Sequence, residues 1–523
     1  MFDVIISNGT IIDGSDSSGF ISDIGIVSDR IKVIGDLSDS TSKKKIDATG
    51  YIVSPGFIDT HAHSDGVLLI DPQHANGIRQ GITTEILGQD GLSYAPLSKE
   101  NYKIYRKYLS GILGEPPEDL DMSSVEKFRS HYDKKVSINT AYPIAHGALR
   151  LEVLGFNDKP MTGKYLKTAK DLIAEGMSQG AIGLATGLSY HPQAWSDTEE
   201  LIELCKVVKD YGGVYITHLR DVNIDRAYGG GNVAEALEIG RKSGVPVHFS
   251  HFRTAPNNPG KTDEILEPIE KAKKEGVDIT LELYPYPTGS TFPMSFLPSQ
   301  YHIGGIDEMK NLLTEVNSRN RIIEYLNDKP LSDAVLTYVP KNTSYEGMTI
   351  SDIAQIRKLS LGETLVELLD ECDMQIGYLG APPHNVQVWN QLSQDALKLL
   401  SRPDYMIGGD AIPLGSMPHP RAYGTFPRFL GRFRRRFGGV KLETLIQRVT
   451  QNPAVRFGLK DRGLIKKGYF ADITIFHSEN LIDNSTYDDP KQFPSGIPFV
   501  LVNGQIAVDN EKCTGVLAGR AIP

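Results

Sequence analysis

Short apolar segments alternate with amphipathic segments through most of the middle of this 523-residue chain, which is too long for a single hydrophobic core. Each apolar segment is typical of a buried strand, and stretches between them, such as 201–209 and 233–243, have the spacing of helices that cover a core. This repeated order favours a parallel α/β domain, for which a TIM-like (β/α)8 barrel is the best fit. The predicted strands are 136–138, 181–184, 214–218, 245–251, 278–283 and 405–409.

Both ends of the chain have a different character, with short β-rich runs separated by turn residues. The dipeptides Asn8-Gly9 and Asn503-Gly504 favour two-residue hairpins. We expect a small β-sandwich built from both termini, 1–54 and 455–523, beside a barrel that spans 55–454. A stretch of about 287–345 interrupts the barrel rhythm and is expected to be an insertion at a strand end, where it can act as a lid.

The charge and the cysteine content argue against several classes of protein. A net charge of −10 disfavours nucleic acid and anionic membranes as partners. The three cysteines lie far apart and form no Cys-x-x-Cys pair, so neither a disulfide framework nor a thiolate metal site is expected. The sequence shows no signal-peptide pattern and no bilayer-spanning apolar stretch, which leads us to expect a cytoplasmic protein. The oligomeric state is not predicted.

His61 and His63 stand at the end of the sequence Pro-Gly-Phe-Ile-Asp-Thr-His-Ala-His, which follows an apolar run at 51–53. Side chains at positions i and i+2 of a strand point the same way, so the two imidazoles leave the strand end side by side. Neutral imidazole is the commonest protein ligand for metals of the zinc class. The pair therefore predicts half of a metal site.

Three later predicted strands end in His218, His251 and Asp410. Active sites of barrels lie at the carboxyl ends of the strands, so these side chains should converge with the first histidine pair. Imidazoles that hold a cation and a carboxylate that handles the proton of a water molecule together make a hydrolytic metal site. His248 is one residue out of step with His251 and is assigned no role.

The chain resembles the amidohydrolase superfamily and, within it, the N-acyl-D-amino-acid deacylase (D-aminoacylase) group. The resemblance covers nearly the whole chain. No single motif is specific for the group, but the whole set of motifs in this order is specific. The motifs lie at 5–14, 55–65, 81–84, 146–150, 183–188, 217–220, 250–251, 284–286, 409–410, 419–421, 426–428 and 515–520.

The resemblance implies a role for each predicted site residue. His61 and His63 would bind one metal position, and His218 and His251 would bind the other, which is the tighter one in this group. Asp410 would be the general base and would also belong to the set of metal ligands. The positions that hold the substrate carboxylate or amide oxygen in the group correspond here to Arg253, Tyr284, Ser290 and Arg421. Arg253 stands where the group usually has a lysine.

One position departs from the group. A cysteine that binds the metal in the group is replaced by Asp90, within Gly88-Gln89-Asp90-Gly91. A carboxylate is a harder ligand than a thiolate and can bridge two divalent cations. We therefore expect one or two divalent ions, with zinc as the first expectation and manganese or cobalt as alternatives.

The resemblance implies metal-dependent hydrolysis of a linear amide, an N-acyl-D-amino acid, whose free carboxylate an arginine would clamp. A cyclic amidohydrolase, such as a hydantoinase, dihydropyrimidinase or dihydroorotase, is the second hypothesis. It ranks lower because no lysine occurs in the segment 180–184, where such enzymes usually carry a carboxylated one. Dipeptide or carbamoyl-amine hydrolysis also stays open. A non-catalytic scaffold would have no need for the complete set of metal-binding side chains.

Overall fold

The computed structural model describes residues 1–523 of the chain. The strands, in chain order, are β1 (Phe2–Ile11), β2 (Phe20–Val27), β3 (Arg30–Gly35), β4 (Ser42–Asp47), β5 (Ile52–Pro55), β6 (Phe57–Asp59), β7 (Ile82–Ile86), β8 (Asn139–Ala141), β9 (Ile144–Ala145), β10 (Gly183–Gly187), β11 (Val214–His218), β12 (Val247–Phe249), β13 (Ile279–Leu283), β14 (Ser290–Thr291), β15 (Val335–Tyr338), β16 (Gly377–Leu379), β17 (Tyr405–Ile407), β18 (Ile473–Phe476), β19 (Phe499–Val502), β20 (Gln505–Asp509) and β21 (Lys512–Cys513).

The helices surround the strands of the middle region. In chain order they are α1 (Val67–Ile70), α2 (Ala75–Ile78), α3 (Lys99–Tyr108), α4 (Ser110–Leu113), α5 (Val125–Ser130), α6 (His146–Leu154), α7 (Gly163–Ser178), α8 (Thr198–Asp210), α9 (Asn232–Ser243), α10 (Thr262–Lys274), α11 (Ile306–Thr314), α12 (Val316–Asn327), α13 (Ile350–Arg357), α14 (Leu361–Glu371), α15 (Val386–Leu400), α16 (Arg421–Pro427), α17 (Arg434–Phe437), α18 (Leu442–Val449) and α19 (Gln451–Arg456). A π-helical turn, Arg428–Phe433, joins α16 to α17. No helix has both the length and the apolar character needed to cross a bilayer.

The middle of the chain forms the predicted (β/α)8 barrel. Its parallel strands pair in the order β6-β7-β8 and β9-β10-β11-β12-β13-β17, and β8 and β9 are two short parts of the third barrel strand. The barrel closes between its first and last strands, where Ala62 forms a parallel bridge with Ala411. The backbone N–H of Asp410 also donates to the carbonyl of His61 at 2.7 Å. The active-site ends of the first and eighth strands are therefore joined directly.

Two of the predicted barrel strands are displaced in the structure. The apolar segment 136–138 precedes β8, and 181–184 overlaps only the start of β10. In β8 the buried polar residue Asn139 is paired, because its side chain donates to Asp472 and accepts from Asn503. Hydrophobicity alone places the first of these strands too early, since it does not identify a buried polar residue whose hydrogen-bond partners are distant in the chain.

Strands from both termini form one nine-stranded sheet in the order β21-β20-β19-β18-β5-β1-β2-β3, with β4 also paired to β1. Fourteen buried hydrophobic residues give this terminal domain a core of its own. Asn503-Gly504 forms the predicted hairpin between β19 and β20. The hairpin predicted at Asn8-Gly9 is wrong, because β1 continues through it with a bulge at which Asn8 has φ of 62°.

β13 and β17 are neighbours in the barrel, so all of 284–404 lies between two adjacent strands. The stretch predicted as an insertion, about 287–345, lies within this segment. A small antiparallel sheet of β14, β16 and β15 forms here, together with α11 to α15. Thr291 of β14 and Tyr378 of β16 line the cavity at the barrel mouth, so this segment forms one wall of the site.

Candidate metal centre and active site

The predicted histidines and Asp410 meet at the carboxyl ends of the barrel strands. His61 and His63 follow β6, His218 ends β11, His251 follows β12 by two residues, and Asp410 follows β17. The backbone turns sharply as the chain leaves two of these strands, since φ is 37° at His251 and 50° at Asp410. Such left-handed conformations are uncommon for residues other than glycine and aim these side chains at the barrel axis.

Two glycines make room for Asp410. A Cβ atom on Gly408 would lie 2.7 Å from both Glu282 Oε2 and the Cβ of His61. A Cβ atom on Gly409 would lie 2.4 Å from Asp59 Oδ2. Asp59 in turn accepts from the backbone N–H groups of Gly409 and His61, at 2.7 and 2.9 Å. The first and last barrel strands can approach this closely only because neither glycine has a side chain.

Asp90 lies between the two histidine pairs. Its Oδ1 is 3.5 Å from His61 Nε2 and 4.0 Å from His251 Nε2. Its Oδ2 is 3.6 Å from His63 Nε2 and 3.4 Å from His218 Nδ1. Each pair thus presents one imidazole to each oxygen of this carboxylate, so Asp90 lies within 4.0 Å of all four histidines.

Donor atoms converge in two overlapping groups, His61 with Asp90 and His251, and His61 with His63 and Asp410. Within each group the atoms lie within 4.8 Å of one another. Asp90 Oδ1 is buried and has no hydrogen-bond partner. A buried carboxylate oxygen without a partner is costly unless a cation or a water molecule satisfies it, so this donor set fits a divalent metal ion.

The charges in the cluster support one another. Burial would raise the pKa of Asp90, but His61 and His218 hold it well below its usual value. Burial would also raise the pKa of Asp410, which Arg421 and then His61 lower instead. Arg421 Nη1 lies 2.7 Å from Asp410 Oδ2, and His63 Nε2 lies 3.2 Å from Asp410 Oδ1. The surroundings of both carboxylates therefore favour the ionised form.

Glu282 is a site residue that the sequence did not reveal. It lies on β13, is buried, and its Oε1 is 2.5 Å from His61 Nδ1. The contact leaves His61 Nε2 directed at Asp90, which is how a carboxylate behind a metal-binding imidazole orients the ring. Glu282 also lies 3.2 Å from His248 Nε2, so His248 supports Glu282 without joining the cluster. The available signal was an acidic residue inside a mostly apolar strand.

A cavity of about 270 Å³ opens beside the cluster. Ile112, Tyr190, Tyr378 and Ile412, none of them predicted, line it. The predicted site residues that line it are His63, Asp90, His218, His251, Tyr284, Ser290, Asp410 and Arg421. His61 lies behind the others and is fully buried.

The predicted substrate-binding residues form two layers. Arg421 lines the cavity, and its guanidinium lies 4.8 Å from the ring centre of Tyr284. Arg253 lies 4.5 Å from the same ring but does not line the cavity. Ser290 accepts a hydrogen bond from Arg421 Nη2 through its backbone carbonyl, while its hydroxyl donates to the carbonyl of Tyr378. The structure brings Arg421, Tyr284 and Ser290 together at the cavity and leaves Arg253 outside it.

The profile of the amidohydrolase family matches residues 44–296 and 343–508. D-aminoacylase from Alcaligenes xylosoxydans xylosoxydans is 32% identical over 100% of this chain and 97% of its own length. The chain belongs to the amidohydrolase family. N-acyl-D-glutamate deacylase of the same organism is 30% identical over 96% of this chain and 93% of its own length, which places this amidohydrolase in the D-aminoacylase group.

Solved structures agree with this placement. A D-aminoacylase described with a binuclear metal centre superposes with a TM-score of 0.80 at 31% identity, over 100% of this chain and 99% of that one. N-acyl-D-glutamate deacylase from Bordetella bronchiseptica, solved with zinc and a phosphonate inhibitor, gives 0.82 at 28% identity, also over 100% and 99%. These matches confirm the predicted fold, and with the sequence relatives they favour the predicted metal-dependent deacylase over the cyclic amidohydrolase. A D-hydantoinase shares the fold at only 14% identity and a TM-score of 0.56.

Proposed function

We propose that this amidohydrolase hydrolyses N-acyl-D-amino acids to a D-amino acid and a carboxylic acid. The observation that carries the proposal is the position of Asp410, which contacts both the histidine cluster and Arg421 at the wall of the cavity. A proton acceptor beside a metal-binding cluster suits amide hydrolysis. A buried arginine on its other side suits a substrate with a free carboxylate.

The metal would be held by His61, His63, His218 and His251, with Asp90 between the two pairs and Asp410 at one side. Imidazole nitrogens and carboxylate oxygens suit zinc, and they also suit manganese or cobalt, because no sulfur ligand is present. We propose zinc as the first metal, in one or two ions. When bound, the metal supplies Lewis-acid polarisation of the amide carbonyl and activates a water molecule.

Asp410 would take a proton from the attacking water molecule and deliver it to the nitrogen of the leaving amine. Its ion pair with Arg421 fixes one carboxylate oxygen, Oδ2, and leaves Oδ1 facing His63 and the cluster. Burial raises the pKa of Asp410, but nearby charges, Arg421 foremost, lower it further than burial raises it. The resulting low pKa keeps the carboxylate deprotonated before the reaction. The same geometry holds the base in one orientation while the substrate binds.

Arg421 would hold the α-carboxylate of the substrate. Its Nε atom is buried and has no hydrogen-bond partner, so one donor of the guanidinium is free to bind a carboxylate. Arg421 is also the only arginine or lysine that lines the cavity. The remaining wall includes Ile112, Tyr378 and Ile412. With its single cation used for the α-carboxylate, the cavity favours neutral, apolar amino-acid side chains over acidic ones.

The experiment that tests the proposal is amine release from N-acetyl-D- and N-acetyl-L-amino acids, with zinc, manganese or cobalt supplied in turn. The panel contains leucine, phenylalanine, glutamate and aspartate in both configurations. We expect release from the D-enantiomers, with the leucine and phenylalanine derivatives preferred. Turnover of a hydantoin together with no release from any member of the panel would contradict the proposal and support a cyclic amidohydrolase.

A further inference from the structure

His419 is a buried histidine outside the metal cluster whose ring nitrogens both face hydrogen-bonding groups. Nδ1 accepts from the backbone N–H of Arg421 at 3.1 Å. The proton of the neutral ring must then lie on Nε2, which is 3.1 Å from Thr288 Oγ1 and 3.3 Å from the hydroxyl of Tyr487. The Thr288 and Tyr487 hydroxyls are themselves 2.8 Å apart. The three side chains form a triangle in which the single Nε2–H is shared between the two hydroxyl oxygens and one hydroxyl donates to the other.

This triangle joins three separate parts of the chain. His419 lies in the loop between β17 and α16, Thr288 lies between β13 and β14, and Tyr487 comes from the C-terminal region between β18 and β19. Tyr487 also packs edge-on against the rings of Tyr286 and His419, with centroids 6.3 and 5.2 Å apart. The C-terminal region therefore reaches the barrel mouth at this point.

The triangle links the two segments that contact Arg421. Thr288 is two residues before Ser290, whose carbonyl accepts from Arg421 Nη2 at 3.0 Å. His419 thus connects to the backbone of Arg421 at one end and, through Thr288, to the segment that holds its guanidinium at the other. Burial, followed by the nearby Arg421, lowers the pKa of His419 well below its usual value, so the ring remains neutral. None of the three residues lines the cavity.

We propose that His419, Thr288 and Tyr487 are positioning residues that fix Arg421 for the substrate carboxylate. The inference deepens the proposed function and rests on it. It also gives the C-terminal region a part in substrate affinity, through the hydroxyl of Tyr487. The predicted consequence is a change in KM that depends on the carboxylate of the substrate.

The test compares Tyr487→Phe, Thr288→Val, His419→Asn and His419→Gln with the wild-type enzyme on N-acetyl-D-leucine. Loss of one hydrogen bond of the triangle should raise KM by about 3- to 10-fold and change kcat by less than about threefold. His419→Asn keeps an acceptor near the Nδ1 position and should be less impaired than His419→Gln, which does not. Tyr108→Phe is the matched control, because it removes a tyrosine-to-histidine hydrogen bond of 2.9 Å, to His302, elsewhere in the molecule.

Two further measurements separate positioning from general stability. The turnover of N-isopentylacetamide, which lacks the carboxylate, should be unchanged in all four variants relative to the wild type. A crystal structure of His419→Gln should show the Arg421 guanidinium displaced from Ser290 and Asp410. An equal loss on both substrates, or an undisplaced Arg421 with unchanged KM, would overturn the proposal. If the wild type releases no amine from N-acetyl-D-leucine, the proposed function fails, and the position of Arg421 in the variant still decides the structural part.

Discussion

The two histidine pairs of the cluster differ in what surrounds them. The side chains of His61 and His63 are 0% and 3% exposed, whereas those of His218 and His251 are 23% and 22% exposed. His61 has Glu282 behind it, but the only carboxylate within 4 Å of His218 or His251 is that of Asp90. The buried pair is thus held in the barrel interior, with His63 reaching the cavity wall, while in the exposed pair His218 packs against Tyr190 and His251 against Tyr284.

The contrast indicates a division of tasks. A buried imidazole oriented by a carboxylate, as His61 is by Glu282, has one available rotamer and tautomer. An imidazole at the cavity wall can respond to the substrate as well as to the metal. Asp90 lies next to both the buried and the exposed pair, because each of its oxygens faces one histidine from each pair.

The largest effect is expected from Asp410→Asn, at the buried side of the cluster. Loss of the proton acceptor should lower kcat by about 10²- to 10⁴-fold, while the amide retains the shape of the side chain. Binding of the product D-amino acid, measured by calorimetry, should persist. Normal turnover in this variant would show that another group accepts the proton.

Glu282→Gln tests whether the carboxylate behind His61 fixes the buried pair. Metal affinity, measured by competition with a chelator, should fall by about 10- to 100-fold. Glu85→Gln is the matched control, because Glu85 is also buried on a barrel strand and lies 2.6 Å from a buried histidine, His74, outside the cluster. Equal metal affinity in the two variants would contradict the role assigned to Glu282.

Asp90→Cys tests the ligand shared by both pairs. A thiolate is softer than a carboxylate, so the variant should bind cadmium better and manganese worse than the wild type. The measurement is metal content by mass spectrometry after equilibration with equimolar mixtures of the two ions. An unchanged ratio would show that Asp90 does not contact the metal.

The smallest effect is expected from Tyr190→Phe, at the exposed pair. The ring that packs against His218 is kept, and only the hydrogen bond between the Tyr190 and Thr291 hydroxyls is lost. Turnover should change by about threefold or less, because one neutral hydrogen bond contributes little net free energy. A loss of metal affinity comparable to that of Glu282→Gln would show that the exposed pair is as tightly fixed as the buried one.

The sequence predicted the barrel and the set of side chains at its strand ends, because the periodicity of each segment and the alternation of strands with helices can be read from neighbouring residues. It did not reveal Glu282 or His419, since their partners are distant in the chain. Glu282 is 221 residues from His61, and Tyr487 is 68 residues from His419. The resemblance predicts Arg253 beside the substrate, but its guanidinium packs against the ring of Tyr284 and it does not line the cavity.

The two Asn-Gly dipeptides illustrate the same limit. Asn503-Gly504 forms a hairpin, because the strands on either side of it pair with each other. Asn8-Gly9 has the same local preference, but β1 continues past it to pair with β2 on one side and with β4 and β5 on the other. Long-range pairing decided between two conformations that the dipeptide permits equally.

The barrel closes through the same residues that perform the chemistry. The backbone N–H of Asp410 donates to the carbonyl of His61, and the next residue bridges Ala62. Separation of the first and eighth strands would therefore move the base away from the histidines while the other strands stayed paired. Under mild denaturant, loss of activity should precede loss of secondary structure, so that turnover reports whether this seam is closed.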